Sequence, residues 1–170
     1  MTKQSTLFIF LLLGAAVICG CDEDTSVQKI SDDATVQPAV EVVEAAEAGW
    51  LTDFEEAKKQ AAEKSLPILA DFSGSDWCGW CIKLDNEVFS QSAFKDYAAK
   101  NLILFLADFP NSKPQTAEVK AQNQALSQQY GVRGFPTVLL LDADGNVLGR
   151  TGYESGGAGA YVEHLQSLLK

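Results

Sequence analysis

The sequence predicts an α/β domain over residues 49–170, on three observations. From Trp50 onward, apolar runs of strand length alternate with helical apolar stripes. The turn Asp142-Ala143-Asp144-Gly145-Asn146 separates two such runs as a hairpin would. Two thiols two residues apart, in Trp77-Cys78-Gly79-Trp80-Cys81, directly follow the first apolar run, where a helix is expected to start.

The elements follow in order. Thr52-Asp53-Phe54-Glu55 fits a capping box, with Thr52 as N-cap and Glu55 three residues on. Phe54, Ala57, Ala61 and Ala62 then form the apolar stripe of a first helix that ends before Pro67. Leu66 to Phe72 reads as a buried strand because it is apolar nearly throughout. Past the cysteines, Ile82, Leu84, Val88 and Phe89 mark a helix that ends or bends near Ser90, and Ser92 caps a short helix carrying Phe94, Tyr97 and Ala98. Asn101 to Phe109 is a second strand and Pro110 to Pro114 a loop. Val119, Ala121, Ala125, Leu126 and Tyr130 define a helix stopping at Gly131. Thr137 to Leu141 and Val147 to Gly152 flank the hairpin turn. Gly156, Gly157 and Gly159 weaken the start of a last helix that points Tyr161, Leu165, Leu168 and Leu169 inward.

The amino terminus sets the compartment. Lys3 precedes an apolar stretch from Leu7 to Ile18, shorter than the roughly 20 residues a membrane span requires, and so reads as a secretory signal. Its end, Ile18-Cys19-Gly20-Cys21, resembles a bacterial lipobox, although Ile18 stands where Leu is commonest. That resemblance implies removal of residues 1–20 and a lipid on Cys21; the alternative is an ordinary signal with a leftover cysteine. Residues 21–48 then form a tether. Asp22 to Glu47 holds eight acids and one base, a net charge of −7, with no aromatic residue, and is too polar to order itself. This acidity argues against nucleic-acid binding. With Cys19 removed and Cys21 acylated, Cys78 and Cys81 are the remaining thiols, so the domain needs a hydrophobic core rather than a disulfide framework.

The motif carries the chemistry. A helix beginning at Cys78 places that sulfur at its exposed N-terminus, where amide groups and the helix dipole favour the thiolate. Cys81, one turn on, is close enough to resolve a mixed disulfide. Over nearly all of Trp50 to Lys170 the chain resembles the thioredoxin superfamily, on Ala70-Asp71-Phe72, the two-cysteine motif, and Tyr130-Gly131-Val132-Arg133-Gly134-Phe135-Pro136-Thr137. Ser73-Gly74-Ser75-Asp76 is most similar to the exported bacterial members.

The resemblance implies a thioredoxin-like fold with a central mixed β-sheet flanked by helices on both faces. It implies that Cys78 is the nucleophile and Cys81 the resolving thiol. Asp71 matches a buried carboxylate that relays a proton to or from the inner thiol, and Pro136 a cis-proline beside the motif, with Phe135, Trp77 and Trp80 facing substrate; packing on the domain's own surface is an equal reading for Trp77. The chain departs from the family's commonest pattern in four places, one being a longer helix-containing segment between Asp108 and Pro136. One extra residue separates Asp71 from Cys78, Trp80 replaces the usual Pro, and the stretch Ile103 to Ala107 offers no Lys to accompany Asp71.

Other chemistries fit poorly. Ile82 after Cys81 excludes covalent haem attachment by pattern. His164, the single histidine and expected on the surface, cannot complete a zinc site or a Cys–His pair. The expected function is therefore extracytoplasmic thiol–disulfide oxidoreduction on protein substrates, with reduction favoured over oxidation or isomerisation. No cofactor beyond the redox-active Cys78–Cys81 disulfide, no metal and no nucleic acid are expected. Partners would be exported proteins bearing thiols or disulfides and a membrane-embedded thiol reductant, with the lipid anchor holding a monomer at a bacterial membrane. The competing reading is a tethered binding module whose Cys78–Cys81 disulfide is permanent.

Overall fold

The computed structural model describes residues 49–170; the expected signal, the lipidation site Cys21 and the acidic tether lie outside them. Among these residues the order is α1 (Phe54–Lys64), β1 (Ile68–Ser73), α2 (Gly79–Leu84), a π-helical turn (Asp85–Phe89), α3 (Ser92–Asn101), β2 (Ile103–Asp108), α4 (Ala117–Gln129), β3 (Thr137–Leu141), β4 (Val147–Thr151) and α5 (Gly157–Leu168). The sheet runs β2-β1-β3-β4, with β1 parallel to β2 and antiparallel to β3, and β3 antiparallel to β4. It is the mixed sheet expected.

Alternation along the strands divides the core in two. Ile68, Ala70 and Phe72 of β1 pack with Phe54, Ala57 and Ala61 of α1 and Leu126 of α4. Leu69 of β1 packs on the other face with Leu84, Phe89, Phe94 and Ala98, and with Tyr161 and Leu165 of α5. Helices therefore cover both faces, and β1 is buried along its whole length. The outer edge of β2 is closed by Leu51, whose N–H donates to Leu104 at 2.9 Å and whose carbonyl accepts from Leu106 at 2.8 Å.

Several local expectations shift, each for a physical reason. The N-cap of α1 is Asp53, not Thr52: its carboxylate accepts from the N–H groups of Glu55 at 2.9 Å and Glu56 at 3.1 Å. Gln122, far away in sequence, holds this start from α4, accepting from Phe54 N–H and donating to the Thr52 carbonyl, both at 2.9 Å. Gln91 rather than Ser92 precedes α3. On α4 the inward residues are Asn123 and Leu126, while Ala121 and Ala125 face out. A buried amide is tolerated there because Asn123 Nδ2 donates to the Asp108 carbonyl at 2.9 Å. On α5, Tyr161 and Leu165 are buried, but Leu168 and Leu169 only half so.

Asp53→Ala should cost about 1 kcal/mol of stability, the usual value of an N-cap carboxylate, and Thr52→Ala clearly less. Urea denaturation of the two variants checks the assignment.

Candidate active site

The chemistry-bearing groups converge at the carboxyl end of β1. Asp71 shares a face of that strand with Leu69 and Ser73, and its register neighbours are apolar, Leu106 on β2 and Val138 on β3. The residue is only 5% exposed, and its Oδ1 has no hydrogen-bond partner. Burial pushes its pKa up from 3.8 to about 8, aided by the negative charges of Asp108 and Asp85 and partly opposed by the Ser73 hydroxyl. A cavity of about 280 Å³ lies against it, lined also by Ser73, Ser75, Cys81, Asp85 and Lys113. The extra residue before the motif thus does not separate Asp71 from Cys81: both border one space.

Cys78 and Cys81 form a disulfide with Cα atoms 5.2 Å apart. Cys78 is the N-cap of α2, and its Sγ accepts the Cys81 N–H at 3.2 Å. Such an amide favours sulfur as thiolate once the bond opens. The expected exposure of Cys78 is corrected, because the residue is only 7% exposed; its motif neighbours Trp77 and Trp80 are the open ones. The helical run then passes into the π-turn, where Ser90 N–H reaches back five residues to Asp85 O at 2.8 Å.

The loop Gly74–Trp77 absorbs the insertion by strapping itself to the loop after β2. Asp108 accepts from Ser75 N–H at 2.9 Å and from its hydroxyl at 2.6 Å, and Lys113 Nζ donates to the same hydroxyl at 2.9 Å. Asp76 accepts the N–H groups of Asn111 and Ser112 at 2.9 and 2.7 Å, which lower its pKa. Trp77 Nε1 donates to Phe109 O at 2.7 Å, and its indole lies so close that a Cβ on Gly74 would stand 2.5 Å from it.

The Phe135–Pro136 bond is cis. The Phe135 ring is held between Phe109 and Trp77, with centroids at 5.0 and 5.9 Å. A Cβ on Gly152 would meet the Pro136 carbonyl at 3.2 Å, so the strand-to-helix loop after β4 runs close beside this bond. His164, expected on the surface, is half-buried, with Nε2 2.9 Å from Thr151 Oγ1. Among the described residues no group of three or more His, Cys, Asp or Glu side chains could hold a metal ion.

Sequence reasoning missed four residues. Asp85 carried a signal, lying one helical turn after Cys81. Asp108 carried another, two residues after Leu106 on the same face of β2. Lys113 and Tyr153 lie in loops and carried none.

Comparison with known proteins agrees with this geometry. Residues 54–161 match the family model of the thioredoxin-like domain. The disulfide bond reductase DsbH of Chlamydia pneumoniae is 40% identical over 128 residues, covering 75% of this chain and 76% of that protein. The thioredoxin-related protein DsbJ of the same organism is 28% identical, over 71% of this chain but 37% of its own length. A solved structure titled DsbH oxidoreductase superposes with a TM-score of 0.70 at 38% identity, covering 79% of this chain and 92% of that one. With the sheet order, the buried carboxylate and the cysteine pair already in place, these matches establish that the chain belongs to the thioredoxin-like family and is a thiol–disulfide oxidoreductase.

Proposed function

We propose that the chain is a lipid-anchored, extracytoplasmic reductase of protein disulfides. Residues 1–20 are a signal, Cys21 carries the lipid, residues 21–48 are the tether, and residues 49–170 are the catalytic domain. The observation that supports the chemistry best is the buried Asp71 carboxyl, its Oδ1 without a partner, sharing a cavity with Cys81.

The reaction starts from the dithiol form. The Cys78 thiolate attacks one sulfur of a substrate disulfide; that S–S bond breaks, a mixed disulfide forms on Cys78, and the departing substrate thiolate takes up a proton. Asp71, ionised, removes the Cys81 proton. The Cys81 thiolate attacks Cys78 Sγ, re-forms the Cys78–Cys81 disulfide and releases the second substrate thiolate. Two electrons have passed to the substrate. A carboxyl with a pKa near 8 is matched to a thiol and can exchange its proton at neutral pH. Pro136, cis and without an N–H, leaves the backbone at Phe135 beside an extended substrate segment, while Trp77 and Trp80 flank the sulfurs. A membrane-embedded thiol reductant returns the domain to the dithiol, and a monomer suffices for each step.

Cys78→Ser should abolish reduction of a protein disulfide, and Cys81→Ser should accumulate the mixed disulfide on non-reducing gels. Wild-type rates in Cys78→Ser would overturn the scheme, as would a Cys78–Cys81 disulfide that resists thiol reductants. Cys21→Ser should release the protein from the membrane fraction. The Asp71 pKa also fixes a stability trend. The folded state binds a proton more strongly than the unfolded chain, so wild-type stability should fall as pH rises from about 4 to about 8 and then level off. Asp71→Asn escapes this loss; its advantage should be small at pH 4 and reach roughly 3–5 kcal/mol at pH 9, read by urea denaturation of the oxidised proteins.

A further inference from the structure

Tyr161 of α5 carries a hydroxyl into an apolar layer. The residue is 1% exposed and packs with Leu69, Phe89, Val138 and Leu165. A phenylalanine would fill nearly the same space, so what the tyrosine adds is its hydroxyl, and a buried hydroxyl needs a partner. That partner is the Gly152 carbonyl, which accepts from Tyr161 Oη at 3.0 Å. Burial pushes the phenol pKa above its ordinary value, so the group keeps the proton it donates.

Gly152 stands where the β3–β4 ladder gives out. The last paired positions are Val138 and Thr151, and beyond them β3 leads back to Pro136, which has no N–H to continue the ladder. Backbone past the end of a ladder needs its partners from elsewhere. Two side chains of α5, three residues apart, supply the hold: Tyr161 on Gly152, and His164, whose Nε2 lies 2.9 Å from Thr151 Oγ1. The Gly152 backbone in turn lies against the Pro136 carbonyl, from which a Cβ on Gly152 would stand 3.2 Å. The Tyr161 ring also meets Phe89 nearly edge-on, with centroids 6.0 Å apart, at the end of the helical run that carries Cys81.

We propose that Tyr161 is a positioning residue for protein disulfides: through Gly152, its hydroxyl fixes the backbone at Phe135–Pro136 in the place an extended substrate needs. The role deepens the reductase reading and rests on the pairing of substrate with the backbone at Phe135. Tyr161 itself is buried and acts only through its neighbour. A disulfide-bonded polypeptide depends on that backbone, whereas a small disulfide needs the Cys78 sulfur alone.

The test follows single-turnover oxidation of the pre-reduced protein by increasing concentrations of insulin, and separately by 2-hydroxyethyl disulfide. Tyr161→Phe keeps the ring and removes the hydrogen bond. It should raise the insulin concentration for half-maximal rate about three- to tenfold, the range for one hydrogen bond. The limiting rate and the small-disulfide rate should stay as in wild type. Gly152→Ala leaves the hydroxyl in place but presses a methyl on the Pro136 carbonyl; it should give the same defect, and the double variant should be no worse than either single one. Wild-type half-saturation in Tyr161→Phe overturns the proposal, as does equal slowing with both disulfides, the mark of a structural loss alone. Pro136→Ala tells the two levels apart. If it weakens insulin and Tyr161→Phe does not, the positioning role alone falls; if neither does, pairing at Phe135 falls with it.

Discussion

Strand β1 has no face toward water, and the rest of the domain is arranged around that fact. Its six residues are buried between a parallel neighbour and an antiparallel one, with helices above and below. Into this strand the sequence places one carboxyl, Asp71. An ionised carboxylate there loses its hydration with only the Ser73 hydroxyl to offset the loss, so the group holds its proton up to a pH of about 8. Asp108 and Asp85 push in the same direction. This buried carboxyl borders the same cavity as Cys81, and in the proposed scheme it is the proton store for that thiol.

The motif is held by a different kind of interaction. Loop backbones need partners for their N–H and C=O groups, and an inserted residue adds to that demand. Here the carboxylates of Asp76 and Asp108 absorb it, joining the loop before the cysteines to the loop after β2 through four hydrogen bonds, to which Lys113 and Trp77 add one each. Cys78 therefore reaches its capping position with Trp77 tied to the Phe109 carbonyl on one side, while the Trp80 side chain stays open on the other. That difference between the two tryptophans was not readable from their identical chemistry.

What was legible in the sequence is what local pattern determines. The β3 strand at Thr137–Leu141, the hairpin turn and the two-cysteine motif all express short-range rules of period, turn chemistry and spacing. The cis bond at Pro136 was legible through resemblance. Most of the misses share a cause, which is a partner distant in sequence. Asp53 rather than Thr52 caps α1 where Gln122 clamps its first turn. Asn123 displaces Ala121 and Ala125 from the inward face because the Asp108 carbonyl awaits it. The π-turn after α2 is too short for its altered period to show in five residues. Asp85 and Asp108 reach the site only once strand register and helix orientation are known.

The core also explains how a disulfide can be opened and closed without loss of the fold. Cys78 and Cys81 are three positions apart, so their bond closes a very short loop; chain entropy alone makes such a bond worth about 2 kcal/mol. The two apolar layers on either side of the sheet draw on β1, β2, β3 and the flanking helices, and neither layer needs the sulfur bridge to bring its members together. Reduction therefore frees two sulfurs at the start of α2 while Leu84, Val88 and Phe89 keep that helical run seated on the sheet. A bond that contributes little to the fold is free to follow the redox state of its partners, and in the proposed scheme a carboxyl that resists ionisation supplies the proton traffic each change requires.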